Sequence, residues 1–191
     1  PGSRALWTAI AGGDIQAINR KWVPWYNVHK TLAGLRDAYL EVGNRQARDV
    51  LVQLGDWCVN LTAQLSDEQM QQMLNQEHGG MNEVLADIYA ITGDQKYLKT
   101  AERFDHHAIL DPLIHQEDQL TGKHANTQIP KVVGLERIAT LTGNQADDSG
   151  ARVFWKTVRE HRAGACGSNG VSERFNDPQS FHVILLGREI R

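Results

Sequence analysis

A helix–glycine–Asx–helix unit that occurs three times is the feature that most constrains the fold of this chain. The central glycines are Gly43, Gly93 and Gly143, which are spaced by 50 residues. Glycine ends a helix at little steric cost, because it adopts the left-handed conformation readily. An Asn or Asp follows each glycine and can cap a second helix through its side-chain oxygen. The spacing therefore predicts three antiparallel helical hairpins.

Apolar residues around these glycines recur at steps of three and four, which is typical of amphipathic helices. The segment before Gly93 illustrates the pattern with Val84, Leu85, Ile88 and Ile91. Ser66 and Gln69 have the spacing of a capping box and predict a further helix start. Long alternation of β-branched residues is absent from the sequence. We therefore predict an all-α chain of about seven helices.

Stacked hairpins can form an open solenoid, whose concave face binds partners, or a closed toroid, whose inner helices surround a cavity. A 50-residue period is longer than the roughly 34 to 47 residues of common helical solenoid repeats. The extra residues lie before the first helix of each unit. Long connectors at the same end of every hairpin favour the toroid and a functional site at that end.

Composition limits the classes of partner. The 191 residues are 41% hydrophobic and 23% charged, which is enough to bury a core. A formal net charge of -3, without a run of Lys or Arg, argues against nucleic acid as a partner. No apolar stretch reaches the roughly 18 residues of a membrane span, so no membrane partner is predicted. The chain starts at Pro1 without a Met or signal-like segment, and we expect it to be an internal piece of a longer protein.

Three histidines lie near the start of the first helix of each hairpin: His29, His78 and His124. Equivalent hairpins that run the same way should bring these imidazoles to one end of the bundle. Helix N-termini add free N–H groups and a partial positive potential. Aromatic and amide side chains lie beside the histidines, among them Trp25, Asn126 and Gln128. This combination suits a sugar, whose ring has hydroxyls and an apolar face, whereas phosphate would require more Arg.

Other groups near these loops have competing interpretations. A three-histidine zinc site is the rival chemistry, although the short HxH or HxxxH pairing is absent. Gly79 and Gly80, without Cβ atoms, are expected to let backbone and imidazole approach a ligand. The adjacent His106 and His107 are predicted to face solvent. Cys58 and Cys166 show no metal-binding spacing; we predict a buried apolar residue and a loop thiol, while a disulfide between them stays open.

A Gly/Ser/Asn-rich loop near the end of the chain contains the carboxylate Glu173, which lies between polar residues and Phe175. Beside a cavity this residue is a candidate general acid/base, whose pKa would be raised by burial against Phe175. The sequence has no Ser/His/Asp or nucleophile-elbow arrangement that competes with it.

Several long segments resemble the helical domain of glycoside hydrolase family 146, a member of the former DUF1680 group that is related to family 127, the β-L-arabinofuranosidases. They include "WVPWYNVHKTLAGLRDAY", "EHGGMNEVLADIYAITGDQKYL" and "LTGKHANTQIPKVVGLERIA". The resemblance implies a partial (α/α)6 toroid, with residues 1–191 as an incomplete catalytic domain. It also implies retaining hydrolysis of terminal β-L-arabinofuranosides by bacterial enzymes that act on plant-type arabinose-containing glycans.

The resemblance assigns roles to individual residues. Glu173 falls on the acid/base position, and His29, His78 and His124 fall on sugar-binding positions, where Asn126, Gln128 and Trp25 would help to hold the arabinose hydroxyls. The family nucleophile is a cysteine in a zinc site of one Glu and three Cys, and a thiolate bound to zinc is deprotonated outright. These zinc ligands and the nucleophile have no counterpart in this chain, and Cys58 and Cys166 do not match them.

The sequence also departs from the family around Glu173. The family pattern there is GGNSVREHF, whereas this chain has Ser168, Gly170 and Arg174. Three alternatives therefore stay open: a non-catalytic carbohydrate-binding remnant, a helical-repeat interaction module, and another toroid enzyme such as an epimerase or unsaturated uronyl hydrolase. The acidic sugar of the last class would require a basic cavity, which the loops do not suggest.

An incomplete ring would expose hairpin faces, so self-association is expected. The resemblance alone implies a periplasmic or secreted location.

Overall fold

The computed structural model describes residues 4–164 and 167–179. Their α-helices are α1 (Arg4–Ala11), α2 (Pro24–Leu40), α3 (Arg45–Thr62), α4 (Asp67–Met73), α5 (Met81–Thr92), α6 (Gln95–Arg103), α7 (His107–Ile114), α8 (Ala125–Thr142) and α9 (Gln145–His161). Short 3-10 helices cover Ile15–Arg20 and Val171–Glu173. Within the described ranges no β-strand forms, and an isolated antiparallel bridge joins His124 to Arg174. The all-α prediction is confirmed.

The three predicted glycines separate the helix pairs α2/α3, α5/α6 and α8/α9. Gly43, Gly93 and Gly143 have φ values of 72°, 74° and 76°. A Cβ atom added to any of the three would meet no atom within 4 Å, so conformation rather than space requires glycine. The Asx residue after each glycine caps the following helix, as predicted: the side chains of Asn44, Asp94 and Asn144 accept backbone N–H groups.

The count of about seven helices was too low for the part of the chain that the structure describes. The capping box of Ser66 and Gln69 is present and starts α4. The additional short helices are α1 and α7, of 8 residues each. They lie outside the three hairpins, where the glycine spacing gives no information.

Two apolar cores hold these helices together. The larger core lies among α1 to α6 and contains a cluster of aromatic rings. Trp25 is its centre, with ring centroids 4.9 Å from Trp7 and 5.1 Å from Phe104. The smaller core lies among α7, α8 and α9, where Phe175 of the C-terminal loop packs at 6.0 Å on Phe154. Phe175 therefore anchors the loop that contains Glu173.

A chain of ion pairs connects the first helices of the three hairpins. Arg36 on α2 lies 2.6 Å from the Asp87 carboxylate on α5 and 3.0 Å from Glu83. Arg137 on α8 lies 2.7 Å from the other oxygen of Asp87. The Asp87 side chain is 11% exposed, so these pairs are screened less than surface pairs. Helices α2, α5 and α8 thus lie side by side in chain order.

Helices α5 and α8 approach closely at Gly134, where an added Cβ would overlap the Asn82 side chain. Asn82 Nδ2 donates to the Lys131 carbonyl oxygen at 2.9 Å and to Asp105 Oδ1 at 2.8 Å. This contact fixes the position of α8 at the end where the candidate site lies.

Cys58 is a buried free thiol, as predicted, and burial raises its pKa. Cys166 lies outside the described residues, and with it the predictions of a loop thiol and of a possible disulfide with Cys58. Among the helices that the structure describes, none is both long and apolar enough to cross a membrane.

Candidate functional site

The glycine pair Gly79–Gly80 packs against His29 of the first hairpin. Gly79 has a φ of 60°, and an added Cβ there would overlap the His29 ring. A Cβ on Gly80 would lie 3.1 Å from His29 Nε2. The pair was expected to make room for a ligand, but its space is occupied by a protein side chain. His29 is 5% exposed, and burial lowers its pKa to about 4.

His78 lies on the other side of these glycines and is also buried, at 1% exposure. Its Nδ1 lies 3.0 Å from the Gln76 carbonyl oxygen, which can only accept, so Nδ1 carries the proton. Its Nε2 has no hydrogen-bond partner among the described residues. Burial, followed by the nearby Lys131 charge, lowers the pKa of His78 to about 3. The imidazole is therefore neutral at physiological pH.

His106 is buried, and the prediction that it faces solvent was wrong. It occupies the N-cap position of α7 without a capping hydrogen bond from its side chain, and its ring lies 6.1 Å from the His78 ring. Its Nδ1 lies 2.9 Å from Lys131 Nζ, which also donates to Gln128 Oε1 at 3.0 Å. The neighbouring His107 is exposed, as predicted, and contacts Asp111. The two adjacent histidines differ because only the first is turned towards α8.

Lys131 is 2% exposed, although lysine is rarely buried without a carboxylate partner. Burial lowers its pKa to about 7. Burial also raises the pKa of Asp105 to about 7. The space between α5, α7 and α8 thus combines buried imidazoles with a cation and a carboxyl group whose pKa values converge near neutrality, which is a recognised feature of functional sites.

His124 is the N-cap of α8 and contacts Glu173. Its Nδ1 accepts the Thr127 backbone N–H at 3.2 Å, so in the neutral ring the proton is on Nε2. This Nε2 lies 2.9 Å from Glu173 Oε2 and donates to it. Backbone hydrogen bonds from Gly122 to Phe175 and from Phe175 to Lys123, at 2.8 and 2.9 Å, hold the two segments together.

The Glu173 carboxylate is 76% exposed. The sequence interpretation expected it to be buried against Phe175, but that residue turns inward to the smaller core. Glu173 has a φ of 60° and Ser172 a φ of 55°, a backbone conformation that is uncommon for residues other than glycine. Strained conformations of this kind are often found at functional sites.

A polar cleft of about 450 Å³ lies beside His124, and Gln128, Lys131 and His106 form part of its wall. Its other polar side chains are Asn75, Gln76, Glu77, Lys123, Thr127 and Arg174. The expectation that the loops offer no basic cavity was wrong, because three of these residues are basic. The chain order concealed this, since Arg174 and Lys123 are brought together only by the pairing of the C-terminal loop with the start of α8.

The predicted site residues fall into two groups. His124 and Gln128 line the cleft, and Glu173 is bonded to His124. Asn126 is exposed on the first turn of α8. By contrast, Trp25 is 1% exposed in the larger core, where its Nε1 donates to Met73 Sδ at 3.2 Å. In this arrangement a sugar cannot contact Trp25, because the aromatic cluster covers it.

His106 and Lys131 were missed as site residues by the sequence interpretation. Lys131 follows Gln128 by three residues, which places the two side chains on one face of a helix. That spacing was the available signal. For His106 no comparable signal exists, since it is the fold that places the start of α7 against α8.

The zinc site that the family resemblance implies is not formed by the described residues, which contain no group of three His, Cys, Asp or Glu able to hold a metal ion. Glycine backbone lies between His29 and His78, and His106 Nδ1 is bonded to Lys131.

A helical domain with buried imidazoles and a histidine-bound carboxylate beside a polar cleft is compatible with an enzyme that acts on a polar, uncharged substrate such as a sugar. Comparison with protein families agrees: the model of the β-L-arabinofuranosidase, GH127 catalytic domain matches residues 8–185. The chain therefore belongs to this glycoside hydrolase family, and the resemblance to family 127 is confirmed. Comparison with curated proteins gave no significant match.

Proposed function

We propose that this domain contains the acid/base side of a retaining β-L-arabinofuranosidase site that acts on plant-type arabinose-containing glycans. The observation that carries the proposal is the 2.9 Å contact between His124 Nε2 and Glu173 Oε2 beside the polar cleft. The imidazole holds the carboxylate in place, and general acid/base catalysis requires a positioned group that can transfer a proton.

Within the described part of the chain, the other oxygen of Glu173 has no hydrogen bond. His124 donates to Oε2, so in the acid form Oε1 carries the proton. During cleavage this proton passes to the glycosidic oxygen as its bond to the anomeric carbon breaks. In the second half of the reaction the carboxylate takes a proton from the water that attacks the anomeric carbon while the bond between that carbon and the nucleophile breaks, which regenerates the acid form.

Other residues are proposed to hold the arabinose hydroxyls. Gln128 lines the cleft, and Asn126, two residues earlier on α8, is exposed. His29 Nδ1 and His78 Nε2 are buried and have no partner within the described part of the chain. Buried polar atoms are seldom left unpaired, which supports a further partner for each. Neither imidazole lines the cleft in this structure, so the proposal that both hold sugar hydroxyls rests on the family resemblance.

The remaining parts of the proposal rest on the family. Residues 1–191 are an incomplete (α/α)6 catalytic domain, and the intact enzyme supplies a zinc site with a cysteine nucleophile. Zinc, when bound, keeps that cysteine as a thiolate. The side-by-side order of α2, α5 and α8 is compatible with the inner ring of such a toroid.

Glu173→Gln in the intact enzyme tests the proposal. Hydrolysis of a terminal β-L-arabinofuranoside should fall by roughly 10²- to 10⁴-fold, because the amide cannot donate a proton. An aryl arabinoside should lose less than an alkyl one, since phenolate needs little protonation. Binding of L-arabinose should be unchanged.

Glu160→Gln, an exposed change on α9, is the control. Equal activity of the two variants would refute the role of Glu173, and sugar binding without hydrolysis in the unmodified chain would identify a binding remnant.

The basic side chains of the cleft favour a second candidate function. Lys123, Lys131 and Arg174 surround a space that contains a single lining carboxylate, Glu77. A sugar that carries a carboxylate, such as the substrate of an unsaturated uronyl hydrolase, would complement this charge. Turnover of an unsaturated uronide, and not of the arabinoside, would select this candidate.

We further propose that this chain self-associates through an apolar groove of about 440 Å³ between α8 and α9. Val133 and Trp155 in its lining are 47% and 68% exposed. The position 50 residues before Val132 is Asn82, whose side chain lies against α8 and donates to the Lys131 carbonyl oxygen. In the preceding hairpin, α5/α6, the face that corresponds to this groove is thus covered by the hairpin α8/α9. A second copy of this chain can cover the groove in the same way.

A further inference from the structure

Lys131 has an unusual set of partners for a buried cation. It is 2% exposed, and no carboxylate of the described residues forms an ion pair with it. Its Nζ contacts two neutral groups, His106 Nδ1 at 2.9 Å and Gln128 Oε1 at 3.0 Å. A buried charge held by neutral groups is costly, so this arrangement requires an explanation beyond packing.

The contact with Lys131 determines which way the Gln128 amide is turned. An ammonium group has three donors and no acceptor, so only the amide oxygen of Gln128 can face it. The amide NH2 group is then on the opposite side and has no hydrogen bond to the described residues. Gln128 lines the cleft, and its side chain therefore presents a donor there.

The same contact determines the tautomer of His106. Protonated Lys131 can only donate, so His106 Nδ1 must accept, and the ring proton is on Nε2. Burial keeps the imidazole neutral by lowering its pKa to about 3. One ammonium group thus orients two neighbouring side chains, and both then have their donors directed away from it.

We propose that Lys131 is a positioning residue that turns the Gln128 amide so that its NH2 group faces the cleft, which selects a ligand oxygen that accepts a hydrogen bond. This inference rests on the proposed role of Gln128 in sugar binding. The ligand oxygen would be a ring oxygen, or a hydroxyl whose own proton is donated elsewhere. A carboxylate-carrying sugar would satisfy the same donor.

Nitrogen NMR of the histidine rings tests the positioning without a ligand. At pH 6, below the pKa of about 7 of Lys131, His106 should be the Nε2–H tautomer. Lys131→Met, which keeps the length of the side chain, should give a mixture of tautomers, and Lys131→Arg should restore the single form. An Nδ1–H tautomer in the unmodified protein, or an unchanged spectrum in Lys131→Met, would overturn the proposal. The measurement on the unmodified protein decides the matter even if Lys131→Met fails to fold.

Binding of methyl β-L-arabinofuranoside tests the consequence. Gln128→Glu replaces the NH2 donor by an acceptor of the same shape, and affinity should fall by roughly 3- to 10-fold. Lys131→Met should cause a similar loss, and the double variant should bind no more weakly than either single variant, because both remove the same interaction. Full additivity would overturn the proposal. If the unmodified protein does not bind the sugar while the NMR result holds, the proposed function fails and the positioning role of Lys131 stands.

Discussion

The third hairpin has two concave surfaces of nearly equal volume and opposite chemistry. The polar cleft at the start of α8 measures about 450 Å³, and the groove between α8 and α9 about 440 Å³. In the cleft wall Lys131 and His106 are buried and hydrogen-bonded, whereas in the groove Trp155 is 68% exposed. The cleft is thus organised by contacts within this domain, and the groove has apolar side chains that no described residue covers. The comparison supports our proposals that the cleft binds a ligand and that the groove is a packing surface.

The largest expected effect is a loss of stability in acid, which comes from the buried imidazoles at the cleft end of the domain and not from the groove. His29, His78 and His106 have pKa values of about 4, 3 and 3, below the ordinary value, so unfolding takes up protons as pH falls below about 6.5. Asp105, whose pKa is about 7, releases a proton on unfolding and offsets part of this. The free energy of unfolding should fall by roughly 2 kcal/mol per pH unit below pH 6.

Urea unfolding at pH 7.0 and 5.5 measures this slope. Adjacent histidines provide the matched pair: His106→Gln should reduce the slope, and His107→Gln, an exposed change, should leave it unaltered. Self-association through the groove should change much less between the two pH values, because its lining is apolar except for Glu136 and Arg152. Equal slopes in the two variants would contradict the burial of His106.

The next effect concerns two glycines with positive φ. Gly79→Ala should lower the free energy of unfolding by about 3 kcal/mol, because the methyl group overlaps the His29 ring in addition to the strain of left-handed backbone. Gly143→Ala, at the turn between α8 and α9, should cost about 1 kcal/mol, since its Cβ meets open space. Chemical denaturation of both variants measures the difference. Similar losses would mean that the packing of Gly79 against His29 is not tight.

A smaller effect on stability but a clear one on assembly is expected at the groove. Val133→Ser combined with Trp155→Ser should weaken self-association at least 10-fold, as seen by light scattering over a concentration series. The stability of the monomer should change by less than about 0.5 kcal/mol, because both side chains are exposed. Val50→Ser, on α3 and 42% exposed, is the control. A monodisperse monomer before any substitution would contradict the proposed role of the groove.

The smallest effect is expected from one hydroxyl group in the cleft. Thr127 Oγ1 lies 2.8 Å from His124 Nδ1, and Thr127→Val removes this contact but keeps the backbone N–H donor. The kcat/KM for the arabinoside should fall roughly 3-fold, in line with one lost neutral hydrogen bond. Thr140→Val on the same helix, whose hydroxyl bonds the Glu136 carbonyl oxygen, should have no effect on the rate. A loss as large as that of Glu173→Gln would instead identify Thr127 as a direct substrate contact.

The fold was largely predictable, because the sequence signals that start and end its helices involve only neighbouring residues. Gly93 ends α5 and Asp94 caps α6 through contacts that span fewer than five residues. Ser66 and Gln69 start α4 in the same local way. By contrast, α7 was missed, since Pro112 inside it and the absence of a glycine stop gave no helical signal.

The candidate site was predictable only in part. Glu173 and His124 were proposed separately, and the structure shows that they are hydrogen-bonded across 49 residues of sequence. Trp25 was proposed as a sugar contact because aromatic residues bind sugars, but an aromatic residue near a helix start serves equally well in a core. Its place in the tryptophan cluster depends on Trp7 and Phe104, which no local pattern connects to it.

The sequence by itself determined where the helices of the three hairpins begin and end, because backbone conformation and capping depend on neighbouring residues. Tertiary structure alone decided which polar side chains became buried and what each of them contacts. His29 packs against the backbone of Gly79, and Lys131 lies between His106 and Gln128. The physical reason is that burial depends on which helices pack together. Packing brings side chains 25 or 50 residues apart into contact, and the same contact that removes water from an imidazole also lowers its pKa and selects its partner.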